Sequence, residues 1–252
     1  TGRGYSVEVL GPVIEEDSNG DRRLRKISDY GKTKNGHSVL LRLNYNKFNI
    51  FFGGDLNTPA EKFLIRQYTG QDKLPKGPGP LYDAIVAKAR ERLRSEIMKT
   101  CHHGATDVTD LFLDSVNPAC FVISSGDQEN HVHPRPDLLG RLGRFGRGES
   151  PVLLSTELQR STREFESEED TTKLMDLVED ISQTPTESKV KRAKERIKDL
   201  AANNVDTYGA IYVKTDGDRL ITAFKIETKS QIKKWFYFEY VIDSVGMLTV
   251  VD

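Results

Sequence analysis

Three stretches of the chain share one hydrophobic pattern. Asn49-Ile50-Phe51-Phe52-Gly53-Gly54-Asp55 is an apolar run that ends in an acid, and Glu96 to Cys101 runs into His102-His103-Gly104. Phe121-Val122-Ile123 continues through Ser124-Ser125-Gly126-Asp127 toward His131 and His133. Short apolar runs bounded by glycine predict buried strands, here delivering acids and imidazoles at their C-terminal ends. Alternation also predicts strands at 5–10, 38–43 and 151–154, with residues 15–34 a polar loop. Helices are expected from Thr58-Pro59-Ala60-Glu61, whose hydroxyl, proline and acid resemble a capped start, around Ile85, Ala89 and Leu93, over 107–116, and after Pro136. This strand–helix alternation predicts an α/β layered core over residues 1–156.

The pattern changes beyond that core. Residues 160–172 are hydrophilic and read as a linker or an exposed insertion. Leu174, Leu177, Val178 and Ile181 mark one amphipathic helix, and Thr184-Pro185-Thr186-Glu187 opens a second with Val190, Ala193, Ile197 and Leu200 on a stripe. From Tyr208 the pattern is β, with Asp216-Gly217 between alternating runs as a hairpin signal. Residues 157–252 are therefore expected to be a helical and β-rich appendage.

Composition narrows the classes. At 252 residues with 30% charged and 37% hydrophobic positions, the chain can bury a substantial core. A net charge of −1 gives no global attraction to nucleic acid or an anionic membrane. No apolar run reaches the roughly 18 residues that span a bilayer, so no membrane association and a cytoplasmic setting are expected. Cys101 and Cys120 lie in predicted buried strands and read as core thiols.

The five histidines all lie between His37 and His133, each beside a predicted strand end, and none occurs in the 118 residues from 135 onward. That clustering is the main sign of a site. Asp55 taken alone reads more readily as a turn aspartate capping the next helix than as a metal ligand. His102 and His103, at a strand end, would point to opposite faces, one to a metal and one to a substrate. Arg135, Arg141, Arg144 and Arg147 read either as a phosphodiester contact or as a solvated helix face. Lys233-Lys234-Trp235-Phe236-Tyr237 mixes charge and aromatics as nucleic-acid platforms do, though strand propensity also accounts for it.

In order along the chain, Asn35 and Ser38 before a strand, Gly53-Gly54-Asp55, His102-His103-Gly104, Ser125-Gly126 and His133-Pro134 resemble the metallo-β-lactamase fold. The nearest likeness is to its ComEC-like and phosphorylcholine-esterase-like branch, over about residues 5–156. The resemblance implies an αββα sandwich and hydrolysis by a metal-bound hydroxide, with two zinc ions, or manganese, as cofactors. It implies Asp55 as a metal bridge, His102 and His37 as ligands, and His103 and His133 as substrate contacts. A phosphodiester, such as nucleic acid, is the expected substrate, while a thioester or lactam uses the same chemistry. The family's His-x-His-x-Asp-His motif occurs nowhere in the chain. With the missing initiator Met, this suggests the C-terminal part of a longer protein, in which an upstream segment completes the site. The alternative is a non-catalytic binding or regulatory protein with a degenerate site. The appendage is expected to meet a protein partner or a second copy.

Overall fold

The computed structural model describes residues 4–126, 133–156, 168–202, 210–225, 235–242 and 248–251. Asp127, His131, Lys233, Lys234 and residues 160–167 of the expected linker lie outside them. The main sheet contains six strands in the order β1 (Tyr5–Gly11), β4 (Leu40–Tyr45), β5 (Phe48–Phe52), β6 (Ile97–Lys99), β7 (Cys120–Ile123) and β8 (Val152–Ser155). The first two pairings are antiparallel and the last three parallel. This is a mixed α/β fold with a central mixed sheet flanked by helices.

The parallel strands are apolar on consecutive residues because both faces of the sheet are covered. Phe51, Met98, Phe121 and Ile123 point into a core shared with the helices α2 (Thr58–Thr69), α3 (Pro80–Leu93), α4 (Asp110–Val116) and α5 (Pro136–Phe145). Their neighbours Phe48, Ile97, Cys120, Val152 and Leu154 point the other way, against Leu220, Tyr240 and Leu248. These three residues belong to a second sheet, ordered β12 (Leu248–Val251), β11 (Trp235–Ile242), β10 (Arg219–Lys225) and β9 (Ile211–Thr215), all antiparallel. Helices, six-stranded sheet and four-stranded sheet thus stack as three layers. Asp216-Gly217 lies in the β9–β10 hairpin, as its pattern predicted.

By contact density the chain divides into two compact units, residues 1–158 with 208–252, and residues 159–207. The second contains the helices α6 (Glu168–Gln183) and α7 (Glu187–Ala202). Thr186 caps α7 by accepting the Lys189 N–H at 3.3 Å, so Pro185 precedes the helix rather than opening it. Ala193 is buried, whereas Met175, Val178 and Ile197 remain exposed.

Two local expectations need correction. Residues 15–34 are not all loop: they include the hairpin strands β2 (Ile14–Glu16) and β3 (Arg22–Leu24) and most of α1 (Tyr30–Gly36). The hairpin is held by exposed Arg–Glu pairs such as Arg25–Glu15 at 2.7 Å, which leave no apolar alternation in the sequence. The start of α2 also differs. Its cap is Asn57, whose side chain accepts the Ala60 N–H at 3.3 Å. Glu61 turns away from its own helix and accepts the N–H of Thr109, the cap residue of α4, at 2.7 Å.

Candidate metal centre

Parallel strands β5, β6 and β7 are adjacent, so their C-terminal ends lie side by side on one edge of the sheet, the usual ligand edge of an α/β fold. Asp55 follows β5, His102 and His103 follow β6, and Ser124 follows β7. The backbone knits these exits together. Gly53 N–H donates to the Lys99 carbonyl at 3.3 Å, His102 N–H to the Gly54 carbonyl at 2.9 Å, and Thr100 N–H to the Val122 carbonyl at 2.9 Å. Asp55 N–H donates to the Ser38 hydroxyl at 2.9 Å, which ties the acid to the link between α1 and β4.

His102 and His103 do not continue the strand with opposed side chains. They occupy a 3₁₀ turn, Cys101–Gly104, with left-handed backbone at both (φ 46° and 54°). Such conformations cost energy in residues with a Cβ and tend to cluster at functional sites. The turn keeps both imidazoles on one side of the sheet edge, with ring centroids 6.4 Å apart. Gly104 (φ 86°) completes it, and a Cβ there would stand 2.7 Å from Cβ of Pro134. The His133-Pro134 segment packs into that space, and Arg135 N–H donates to the Gly104 carbonyl at 3.0 Å. The His133 ring then lies 5.9 Å from that of His102.

The structure brings Asp55 and His103 together, with Oδ1 and Nε2 separated by 3.5 Å and both side chains over one-third exposed. His103 Nδ1 lies 2.8 Å from the Ser124 carbonyl. A carbonyl only accepts, so Nδ1 carries the proton and Nε2 of the neutral ring turns its lone pair toward the carboxylate. A cation between the two atoms, whether a proton on Nε2 or a metal ion, relieves that opposition. A ring nitrogen fixed by a carbonyl while the other faces outward is the usual support for a metal-binding or proton-handling histidine. His102 Nδ1 is buried without a hydrogen-bond partner among the described residues. His37 ends α1, its N–H bonded to the Thr33 and Lys34 carbonyls. Its side chain lines a small recess with Val13, Ile27, Leu56 and Phe63.

Carboxylate oxygen and imidazole nitrogen form a donor set that suits zinc or manganese. Among the described residues, no three His, Cys, Asp or Glu side chains are grouped closely enough to hold an ion. Lys99 adds positive charge at the same edge, its ammonium donating to the Gly54 carbonyl at 3.2 Å.

Two of the four arginines following the site have structural roles. Arg147 is buried and holds Glu96 at 3.1 Å together with the Ser95 and Asn117 carbonyls. Arg141 braces α4 through Asp110 at 2.7 Å and the Val108 carbonyl at 2.6 Å. They were legible as charge but not as partners, because Glu96 and Asp110 are distant in sequence.

Sequence reasoning missed Glu61 as anything beyond a helix-start acid. Its side chain is fully buried beside Thr109, Asp107 and Cys101, and one carboxyl oxygen has no partner among the described residues. Burial pushes its pKa up to about 8, with the Asp107 charge adding to the rise and the Thr109 N–H opposing it. No motif announces such a residue; the apolar Phe63, Leu64 and Ile65 that follow it are the only hint. No protein-family model matches the chain, and no curated protein does.

Proposed function

We propose that the chain is a metal-dependent hydrolase of the metallo-β-lactamase type, acting on a phosphodiester, with zinc as its cofactor. The observation that carries the reading is the Asp55–His103 pair: a carboxylate and a tautomer-fixed imidazole 3.5 Å apart, open to solvent at the C-terminal edge of a parallel sheet. Asp55 and His102 would hold the ion, which would satisfy the buried Nδ1 of His102; His37, the further ligand expected, is not grouped with the two in this structure. Zinc, when bound, supplies a Lewis acid and a water acidic enough to act as a nucleophile near pH 7. His103 holds a proton at Nε2 or orients a phosphoryl oxygen there, because the Ser124 carbonyl fixes its other nitrogen. His133 and Lys99 flank the pair and contribute contacts to the negative substrate.

Metal content and turnover test the reading together. Full-length protein purified without chelator is expected to hold zinc or manganese by elemental analysis, and Asp55→Ala and His102→Ala to lose it. His37→Ala is expected to lower the metal content as well, and unchanged content would remove His37 from the ligand set. Hydrolysis of bis-p-nitrophenyl phosphate, plasmid DNA or RNA should vanish with chelator and with Asp55→Ala. A chromogenic lactam serves as the competing substrate. Metal-free protein with activity indifferent to Asp55→Ala would leave the non-catalytic binding role in its place.

A further inference from the structure

A second cleft, away from the Asp55–His103 pair, opens in the helical layer. It encloses about 920 Å³ between α2, the 74–78 loop, the start of α3, the start of α4 and the end of α5. That volume suits a small organic ligand. Its lining is net positive. Lys62 and Arg66, one helical turn apart on α2, line it together with Lys76 and Arg144. All four are exposed, and none makes an ion pair among the described residues. Arg144 lies against the Phe145 ring at 5.5 Å. Of the three acids lining the cleft, Asp110 is held by Arg141 and Asp114 by Arg90 at 2.6 Å, which leaves Asp83. α3 starts at Gly79 with no side-chain cap, so its first free N–H groups add to the positive potential. Leu74, Pro75, Leu111 and Phe145 provide an apolar wall.

We propose that this cleft binds a phosphate-bearing small molecule, its phosphate between Lys62, Arg66, Lys76 and Arg144 and any organic body against the apolar wall. The four unpaired cations set the class of ligand, and enclosure between four helices sets its size. The inference rests on the cleft alone and stands or falls separately from the proposed hydrolase.

Isothermal titration of the full chain with inorganic phosphate, adenosine 5′-monophosphate, adenosine and a short single-stranded oligonucleotide tests it. Adenosine 5′-monophosphate should saturate the protein and adenosine should not. Inorganic phosphate binding as tightly as the monophosphate identifies free phosphate as the source, and weaker binding identifies an ester. The Lys62→Ala/Arg66→Ala variant should weaken phosphate binding about tenfold or more, as expected for lost charge-assisted contacts. Asp83→Asn, which removes the opposing charge, should tighten it. Circular dichroism and unchanged melting of both variants exclude misfolding as the cause. Absence of saturable binding, indifference to both substitutions, or binding of the oligonucleotide alone overturns the proposal.

Discussion

Glu61 shows what a single residue can do below a site. Its carboxyl is buried and its pKa raised to about 8, against an ordinary value near 4.5. The folded state therefore holds a proton that the unfolded chain releases. Stability from this group is complete below about pH 4.5 and declines as pH rises toward 8. The decline is on the order of several kcal/mol at most, since each pK unit corresponds to ~1.4 kcal/mol. Glu61→Gln keeps an acceptor for the Thr109 N–H and removes the titration. Its melting temperature is expected to exceed that of the wild type at pH 8.5 and to vary less between pH 5 and 8.5. A parallel pH dependence in the two proteins would sink the assignment. Gly104 makes a second residue-scale claim. Gly104→Ala adds both a φ penalty and a contact with Pro134, so a loss of ~1–3 kcal/mol in denaturant unfolding is expected, with His133 displaced from His102. The acids and imidazoles at this edge were legible because each follows a short apolar run. The pairing of Asp55 with His103 was not, because it depends on a left-handed turn that no side-chain pattern encodes.

At the scale of elements, sequence pattern served best where burial is strongest. The parallel strands and the helices behind them carry continuous or 3.6-periodic apolar positions, and they form where those patterns predict. The β2–β3 hairpin and α1 escaped because their residues are mostly exposed, and paired charges and capping hold them instead of core packing. The opposite edge of the sheet depends on charge in a different way. There Glu96 accepts the Asn49 N–H at 2.7 Å with one oxygen and Arg147 at 3.1 Å with the other. The pair joins the starts of β5 and β6 to the turn before β8. Removing one partner leaves the other charge buried alone, so Arg147→Ala should cost ~3–5 kcal/mol. Arg147→Met combined with Glu96→Leu should cost clearly less, because it removes both charges together. Equilibrium unfolding in urea compares them. Equal losses in the single and double variants would show that the guanidinium works through packing alone.

At the scale of the whole unit, the four-stranded sheet turns a helix-covered sheet into three layers. The hydrophobic pattern of residues 208–252 announced its strands, but nothing local announced which surface they would cover. That follows only from the β6–β8 residues Ile97, Cys120, Val152 and Leu154, which face away from the helices and need a cover. Tyr240 supplies much of it. The ring is fully buried, its hydroxyl lies 3.4 Å from that of Thr222, and it stands beside Cys120. Tyr240→Ala should therefore destabilise this unit by ~3–5 kcal/mol. Tyr237→Ala, on the same strand but two-thirds exposed, should stay within about 0.5 kcal/mol. Cys120 gives a direct reading of the layer. Burial excludes its thiol from solvent and pushes its pKa up to about 12, so little reactive thiolate forms while the sheets stay together. Labelling with an aromatic disulfide should be slow in the wild type and Tyr237→Ala, and much faster at Cys120 in Tyr240→Ala. Cys101, buried on the helical side of the sheet, distinguishes local opening from global unfolding. If Cys120 reacts while Cys101 stays protected, the second sheet detaches as a layer; if both react together, the three layers unfold as one cooperative body. Protection of Cys120 unchanged by Tyr240→Ala would mean that Tyr240 does not hold the two sheets together.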